Sequence, residues 1–188
     1  KAERAALLMV YLHGNGGNLK QGVDTRTFGG NFGRAMTLVV RAGGRYVSPG
    51  FTDFGATGAI QIGALLLDQR RANPLAKIVL ACGSQGALLC WRLAGEASTS
   101  SLVDGLVLLG GTGDADYLRA RRAGQVARIP IVFAHGSRDP VFAWQNVRQQ
   151  SDALRATGGS VRMDLFDGGI HGTPIRMIDW RDTLNWMF

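Results

Sequence analysis

The chain has 188 residues, of which 46% are hydrophobic and only 19% charged. That balance describes one packed domain spanning residues 1–188, and it excludes a disordered or low-complexity chain. No apolar run approaches the roughly 20 residues that cross a bilayer, so no membrane insertion is expected. The formal net charge of +7 implies attraction to anionic surfaces or acidic substrates. It comes without interleaved aromatics or a nucleic-acid fold signature, so no nucleic-acid partner is expected.

Taken in order, the predicted elements alternate between strands and helices, the pattern of a parallel sheet. Leu7–Leu12 is an apolar run that reads as the first strand. A glycine-rich stretch leads to a helix around Phe32–Ala42, ended by Gly43-Gly44, although Thr37-Leu38-Val39-Val40 reads equally well as a strand. Arg45–Ser48 is a short second strand, stopped by Pro49-Gly50. Ala56–Arg71 is a helix, with Ile60, Ala64, Leu65 and Leu67 at helical spacing and Asn73-Pro74 as its stop. Strand three is Lys77–Ala81 and is followed by a helix from Ala87 to Ala94. Strand four is Leu102–Leu109, with an arginine-rich helix near Tyr117–Arg128. Strand five is Ile129–Ala134, with a helix from Ala143 to Ala156. Strand six is Val161–Phe166, and a final helix runs from Pro174 to Trp186.

Cys82-Gly83-Ser84-Gln85-Gly86 carries the most chemistry. It joins a buried strand to a helix and sets a serine between small residues, the layout of a nucleophile elbow. Cys82 stands where the usual G-x-S-x-G pattern has its first glycine. A lone S-x-G can also be a serine capping a helix. Three further motifs follow predicted strands: His13-Gly14-Asn15-Gly16-Gly17, His135-Gly136-Ser137-Arg138-Asp139-Pro140, and Asp167-Gly168-Gly169-Ile170-His171-Gly172. All four then sit at the carboxyl edge of one sheet, where open α/β folds bind ligands.

Together these motifs resemble the α/β-hydrolases, and within them the carboxylesterase/phospholipase and dienelactone-hydrolase branch. The resemblance runs from Leu7 to about His171, and it departs from the pattern at Cys82, Ala87 and Ile170. It implies a three-layer α/β/α fold with a six-stranded parallel sheet in the order 2-1-3-4-5-6, a minimal form lacking the first two strands and a cap domain. The strand order then reverses between strands one and three, which carry the His13–Gly17 loop and the Ser84 elbow. The order Ser84, Asp139, His171 is that of the hydrolase triad.

In that reading Ser84 attacks a carboxylic ester, His171 takes and returns the proton, and Asp139 holds the imidazole's tautomer. The backbone N–H groups of Asn15 and Gln85 form the oxyanion hole, each donor lowering the barrier by roughly 2.7–4 kcal/mol. The substrate is a small-molecule ester with a short or exposed acyl group, because only Gly110–Ala115 separates strand four from its helix. Phe142 and Trp144 are candidates for an apolar wall, and each could equally belong to the core. Thioester or peptide cleavage, and a non-catalytic ligand-binding role, are the alternatives.

Blander roles compete for several residues. Asp139 before Pro140 also reads as a turn former, and Asp167 is its rival for the acid role. His13 and His135 are expected to brace their loops. The three histidines lie singly on separate loops, so neither metal nor cofactor is expected. Arg119, Arg121, Arg122 and Arg128 read as a solvated helix face. Cys82 and Cys90, separated by a strand end and about two helical turns, are expected to be buried free thiols, too far apart to bridge. No signal-peptide pattern is visible, which fits a cytoplasmic location and also an exported chain whose leader has been removed.

Overall fold

A computed structural model describes residues 7–188. Six strands form one all-parallel sheet in the order β2-β1-β3-β4-β5-β6. They are β1 (Leu7–Leu12), β2 (Arg45–Val47), β3 (Lys77–Gly83), β4 (Gly105–Leu109), β5 (Ile131–Gly136) and β6 (Val161–Phe166). The helices are α1 (Asn31–Arg41), α2 (Ala56–Ala72), α3 (Ala87–Gly95), α4 (Ala115–Arg122), α5 (Trp144–Arg155), α6 (Thr173–Met177) and α7 (Trp180–Met187). The inner strands β1, β3, β4 and β5 are covered on both faces, which is why they read as unbroken apolar runs. Only the edge strands β2 and β6 keep partly exposed residues along most of their length.

Alternation along each strand splits the core into two layers. Leu8, Val10, Leu12, Ile78, Leu80, Leu106, Leu108 and Phe133 meet side chains of α2, α3 and α5 on one face. Met9, Tyr11, Val79, Ala81, Val107 and Val132 meet α1, α6 and α7 on the other. Thr37–Val40 is helix rather than strand. Phe32, Ala35 and Val39 recur at helical spacing and bury one stripe of α1.

Several boundaries and faces depart from the sequence reading. In α2 the buried face is Ala59, Ile62, Gly63 and Leu66, while Ile60 is 73% exposed and Leu67 also faces outward. Gly63 lets the helix settle against Thr99 and Leu93. Strand β4 starts at Gly105 because Asp104 uses its carboxylate instead, accepting the Ile78 N–H at 2.9 Å and pairing with Arg70 at 2.7 Å. Strand β5 starts after Pro130, which has no N–H for the ladder. The arginine-rich helix stops at Arg122. Gly124 takes a left-handed φ of 70°, and Gln125 N–H closes onto the carbonyl of Ala120 at 2.9 Å.

Arg121 is not on a solvated face. It is 2% exposed, lies over the Tyr117 ring, and points to Thr157 Oγ1 and the Ile129 carbonyl. The expected last helix is two helices. Asp179 caps α7 by accepting the Asp182 N–H at 3.0 Å, and Asn31 holds the Ile175 and Ile178 carbonyls at 2.9 and 3.1 Å across the break.

Cys82 and Cys90 are joined in a disulfide, with Cα atoms 6.5 Å apart. A strand and helix running on in line would hold the two cysteines apart. The sharp turn at Ser84 instead folds the start of α3 back beside the end of β3, and both cysteines face the same core layer. Their expected burial holds and their expected separation does not.

Candidate active site

Ser84 lies on the turn between β3 and α3 with φ of 47°, a left-handed conformation uncommon for a residue with a side chain. Its neighbours have no room for side chains. A Cβ on Gly83 would lie 2.7 Å from the Tyr11 hydroxyl, and one on Gly86 would lie 2.5 Å from the Leu12 carbonyl oxygen. Cys82, where the usual pattern has its first glycine, is accommodated because its side chain turns into the core toward Cys90. Tyr11 is buried behind the elbow and donates its hydroxyl to Gln21 Oε1 at 2.8 Å. Burial keeps this phenol protonated far above its ordinary range, so it acts as a fixed donor.

Three side chains from the carboxyl ends of β3, β5 and β6 meet in sequence. His171 Nε2 lies 2.8 Å from Ser84 Oγ, and His171 Nδ1 lies 2.7 Å from Asp139 Oδ2. An ionised carboxylate only accepts, so Nδ1 carries the proton and Nε2 accepts from the serine hydroxyl. The Asp139 carboxylate is buried although its backbone is partly exposed, and its other oxygen accepts the N–H groups of Val141 at 2.8 Å and Phe142 at 3.1 Å. Burial alone would raise its pKa. The hydrogen bonds from His171 and from these two N–H groups outweigh that and hold the carboxyl below its ordinary value. Asp139 thus accepts both the N–H groups of its own turn and the imidazole N–H.

Asp167 does not meet the imidazole. It accepts from Ser137 Oγ at 3.1 Å and helps tie the β5 and β6 loops together. His135 is buried and donates through Nε2 to the Phe142 carbonyl at 3.0 Å, within 3.4 Å of Asp139 Oδ2. His13 donates through Nδ1 to the Gly14 carbonyl at 2.9 Å and stacks on Phe51 with centroids 4.2 Å apart. Asn15 sits exposed on the turn after β1, and Gln85 sits directly after the serine at the start of the helical turn. Gly14 brings this first loop against the elbow, since a Cβ there would lie 3.0 Å from Ser84 Cβ.

Phe142 reaches the site, with its ring centroid 5.9 Å from that of His171, and it also packs on the core. Trp144 opens α5 and makes no aromatic contact with the histidine among the described residues. Two neighbours went unread in the sequence. Phe28, with a left-handed φ of 48°, approaches Gly172 beside the histidine, and Gly110 lies directly beneath the imidazole. Neither belongs to a motif, and each arrives by tertiary packing.

No protein-family model matches the chain, and no curated protein matches it by sequence. Solved structures do match. A thermostable esterase superposes with a TM-score of 0.75 at 18% identity, covering 100% of this chain and 55% of its own. Esterase PE8 gives 0.66 at 21% identity, with 100% and 95% covered. Thermogutta terrifontis Est2, a thermophilic esterase, gives 0.62 at 17% identity, with 92% and 74% covered. The chain therefore shares the α/β fold of these esterases. It spans about half the length of the first of them. No helix among the described residues is long and apolar enough to cross a membrane.

Proposed function

We propose that this protein is a serine hydrolase that cleaves carboxylic esters through an acyl-enzyme intermediate. The observation that carries the reading is the continuous hydrogen-bonded chain from Ser84 through His171 to Asp139, at 2.8 and 2.7 Å. A serine hydroxyl is a weak nucleophile until a base within hydrogen-bond reach takes its proton. His171 Nε2 is that base and later returns the proton to the departing alcohol. Asp139, held ionised by three donors, fixes the tautomer and offsets the charge that forms on the ring. The oxyanion that develops on the ester carbonyl is taken by the N–H groups of Gln85 and Asn15, and no acceptor among the described residues uses the Asn15 N–H. Water then repeats the sequence on the acyl-serine and releases the acid.

The acyl group is short. Gly110–Ala115 leaves no length for a cap over the serine, and Phe142 gives one modest apolar wall. Structural neighbours of this fold include Est2 with propionate and with butyrate bound, and the same esterase phosphoramylated by tabun. The test is a chain-length series of p-nitrophenyl esters together with labelling by a fluorophosphonate probe. Acetyl and butyryl esters should turn over fastest, and labelling should vanish in Ser84→Ala. An optimum at ten carbons or more overturns the short-acyl reading. A folded protein that neither labels nor hydrolyses is a binding module instead.

A further inference from the structure

Asn15, whose N–H is the second proposed oxyanion donor, sits between Gly14 and Gly16, and Gly16 takes a left-handed φ of 72°. A turn this rich in glycine has wide conformational freedom of its own, so its surroundings must fix where that N–H points. Two hydrogen bonds shape the loop from within. Gly17 N–H donates to the Gly14 carbonyl at 3.0 Å, and His13 Nδ1 donates to the same carbonyl at 2.9 Å. The near arm is placed by Gly14, which packs directly on Gly83 and Ser84.

The far arm rests on Gln21. A Cβ added at Gly17 would lie 3.1 Å from Gln21 Oε1, and that same oxygen accepts the Tyr11 hydroxyl at 2.8 Å. The Tyr11 oxygen in turn lies against the residue before the nucleophile, where a Cβ on Gly83 would be 2.7 Å away. One hydrogen bond therefore spans from the elbow to the far arm of the oxyanion loop, and both of its ends are anchored. Tyr11 is fully buried on β1, with its ring centroid 4.5 Å from that of Phe32 and with Gly22 packed on its edge. The segment carrying Gln21 is held by the Tyr46 hydroxyl, which donates to the Gly22 carbonyl at 2.7 Å, and by Ser48 Oγ, which donates to the Leu19 carbonyl at 2.8 Å. Because burial keeps the Tyr11 phenol protonated, the direction of the bond to Gln21 is fixed.

We infer that Tyr11 and Gln21 are positioning residues whose hydrogen bond sets the place of the Asn15 N–H opposite that of Gln85 across the developing oxyanion. Neither side chain touches the substrate. The inference rests on the hydrolase reading and adds to it a device that acts only through the oxyanion loop. A misplacement of about 1 Å in such a group costs on the order of 10²-fold in rate. Donors aimed at charge that develops in the transition state contribute little to ground-state binding. Acylation and deacylation both pass through an oxyanion, so both slow together, and the loss falls on kcat rather than on KM.

The experiment is a double-mutant cycle on p-nitrophenyl acetate hydrolysis with Tyr11→Phe and Gln21→Met, singly and together. Phenylalanine keeps the ring and methionine keeps the length, and each removes one end of the bond. Each single variant should lower kcat about 10- to 100-fold with KM within about twofold of wild type. The double variant should fall no further than the weaker single, because both changes remove one interaction. Gln21→Glu keeps an acceptor for the phenol and should hold kcat within about threefold of wild type. Affinity for 1,1,1-trifluoro-2-pentanone, whose adduct with Ser84 carries an oxyanion, should fall by the same factor as kcat/KM. Gln21 is partly exposed, so Gln21→Met serves alone should Tyr11→Phe impair folding. Unchanged kcat in the single variants, additive losses in the double, or a loss carried by KM overturns the inference and leaves the Ser84 chemistry standing. A wild type inert toward ester and ketone alike overturns the hydrolase reading and this inference with it.

Discussion

The elbow that carries Ser84 and the loop that carries His171 meet at one hydrogen bond, yet they are held in opposite ways. Around the serine, the end of a central strand, the glycines that allow close packing and the Cys82–Cys90 bridge leave the backbone no freedom. The histidine hangs from the partly exposed edge strand β6 on a loop tied by polar contacts. Among these are Ser137 to Asp167 at 3.1 Å, Gly168 N–H to Ser137 at 2.7 Å, Ile170 N–H to Thr173 at 2.9 Å, and the backbone bond from Arg138 N–H to the Gly169 carbonyl at 2.8 Å. Ile170, beside the histidine, is 62% exposed. Ser84 is therefore placed by steric and covalent constraint, and His171 by hydrogen bonds. Damage at the elbow should appear as lost folding stability, and damage at the histidine loop as lost turnover in a folded protein.

The largest effect should come from the shared chemistry. Ser84→Ala and His171→Ala should each lower turnover by about 10⁶-fold, and the double variant by little more, because triad members act as a unit. Additive losses in kcat would separate the two residues. Asp139→Asn should cost roughly 10⁴-fold in kcat by favouring the wrong tautomer. It should also change the pH dependence of folding. The folded carboxyl lies below its ordinary 3.8, so its contribution is complete above that value and disappears as pH falls through the lowered one. The stability advantage of wild type over Asp139→Asn, measured by denaturant unfolding, should stay constant at higher pH and shrink only below it.

The bridge gives the contrast its stability arm. It closes a short segment with a sequence separation of 8, and its loss in the C82A/C90A double variant should cost about 2–3 kcal/mol in chemical denaturation. A thiol assay on unfolded, unreduced protein should find no free cysteine. The smallest effect belongs to the loop tie. Ser137→Ala removes one hydroxyl and should cost about 0.5–1.5 kcal/mol of stability. It should lower kcat more than it raises KM. A KM change alone would show that the loop positions substrate rather than the base.

Much of this arrangement could be read from residues in order. Each site loop follows a buried strand, so its place at the carboxyl edge follows from the apolar runs and the parallel topology. What escaped reading depended on contacts between distant segments. The buried face of α2 is not legible in the sequence because Ile60 and Leu67 are as apolar as Ile62 and Leu66, and packing, as of Gly63 against Thr99 and Leu93, decides between the two stripes. The Cys82–Cys90 pairing depends on how sharply the chain reverses at Ser84. Arg121 looked like its exposed neighbours, yet it sits beneath the Thr157 turn. The face that α1 shares with α6 and α7 is set by Asn31 holding the Ile175 and Ile178 carbonyls, a contact no local pattern records.

The most direct test of the central claim is to mix the protein with p-nitrophenyl acetate, follow the pre-steady-state release of p-nitrophenol, and map the quenched sample by mass spectrometry. The account predicts a burst approaching one equivalent per chain, with a single acetyl group on the peptide that contains Ser84 and neither burst nor adduct in Ser84→Ala. Hydrolysis that persists undiminished in Ser84→Ala, or an acetyl group that settles on another residue, would contradict it.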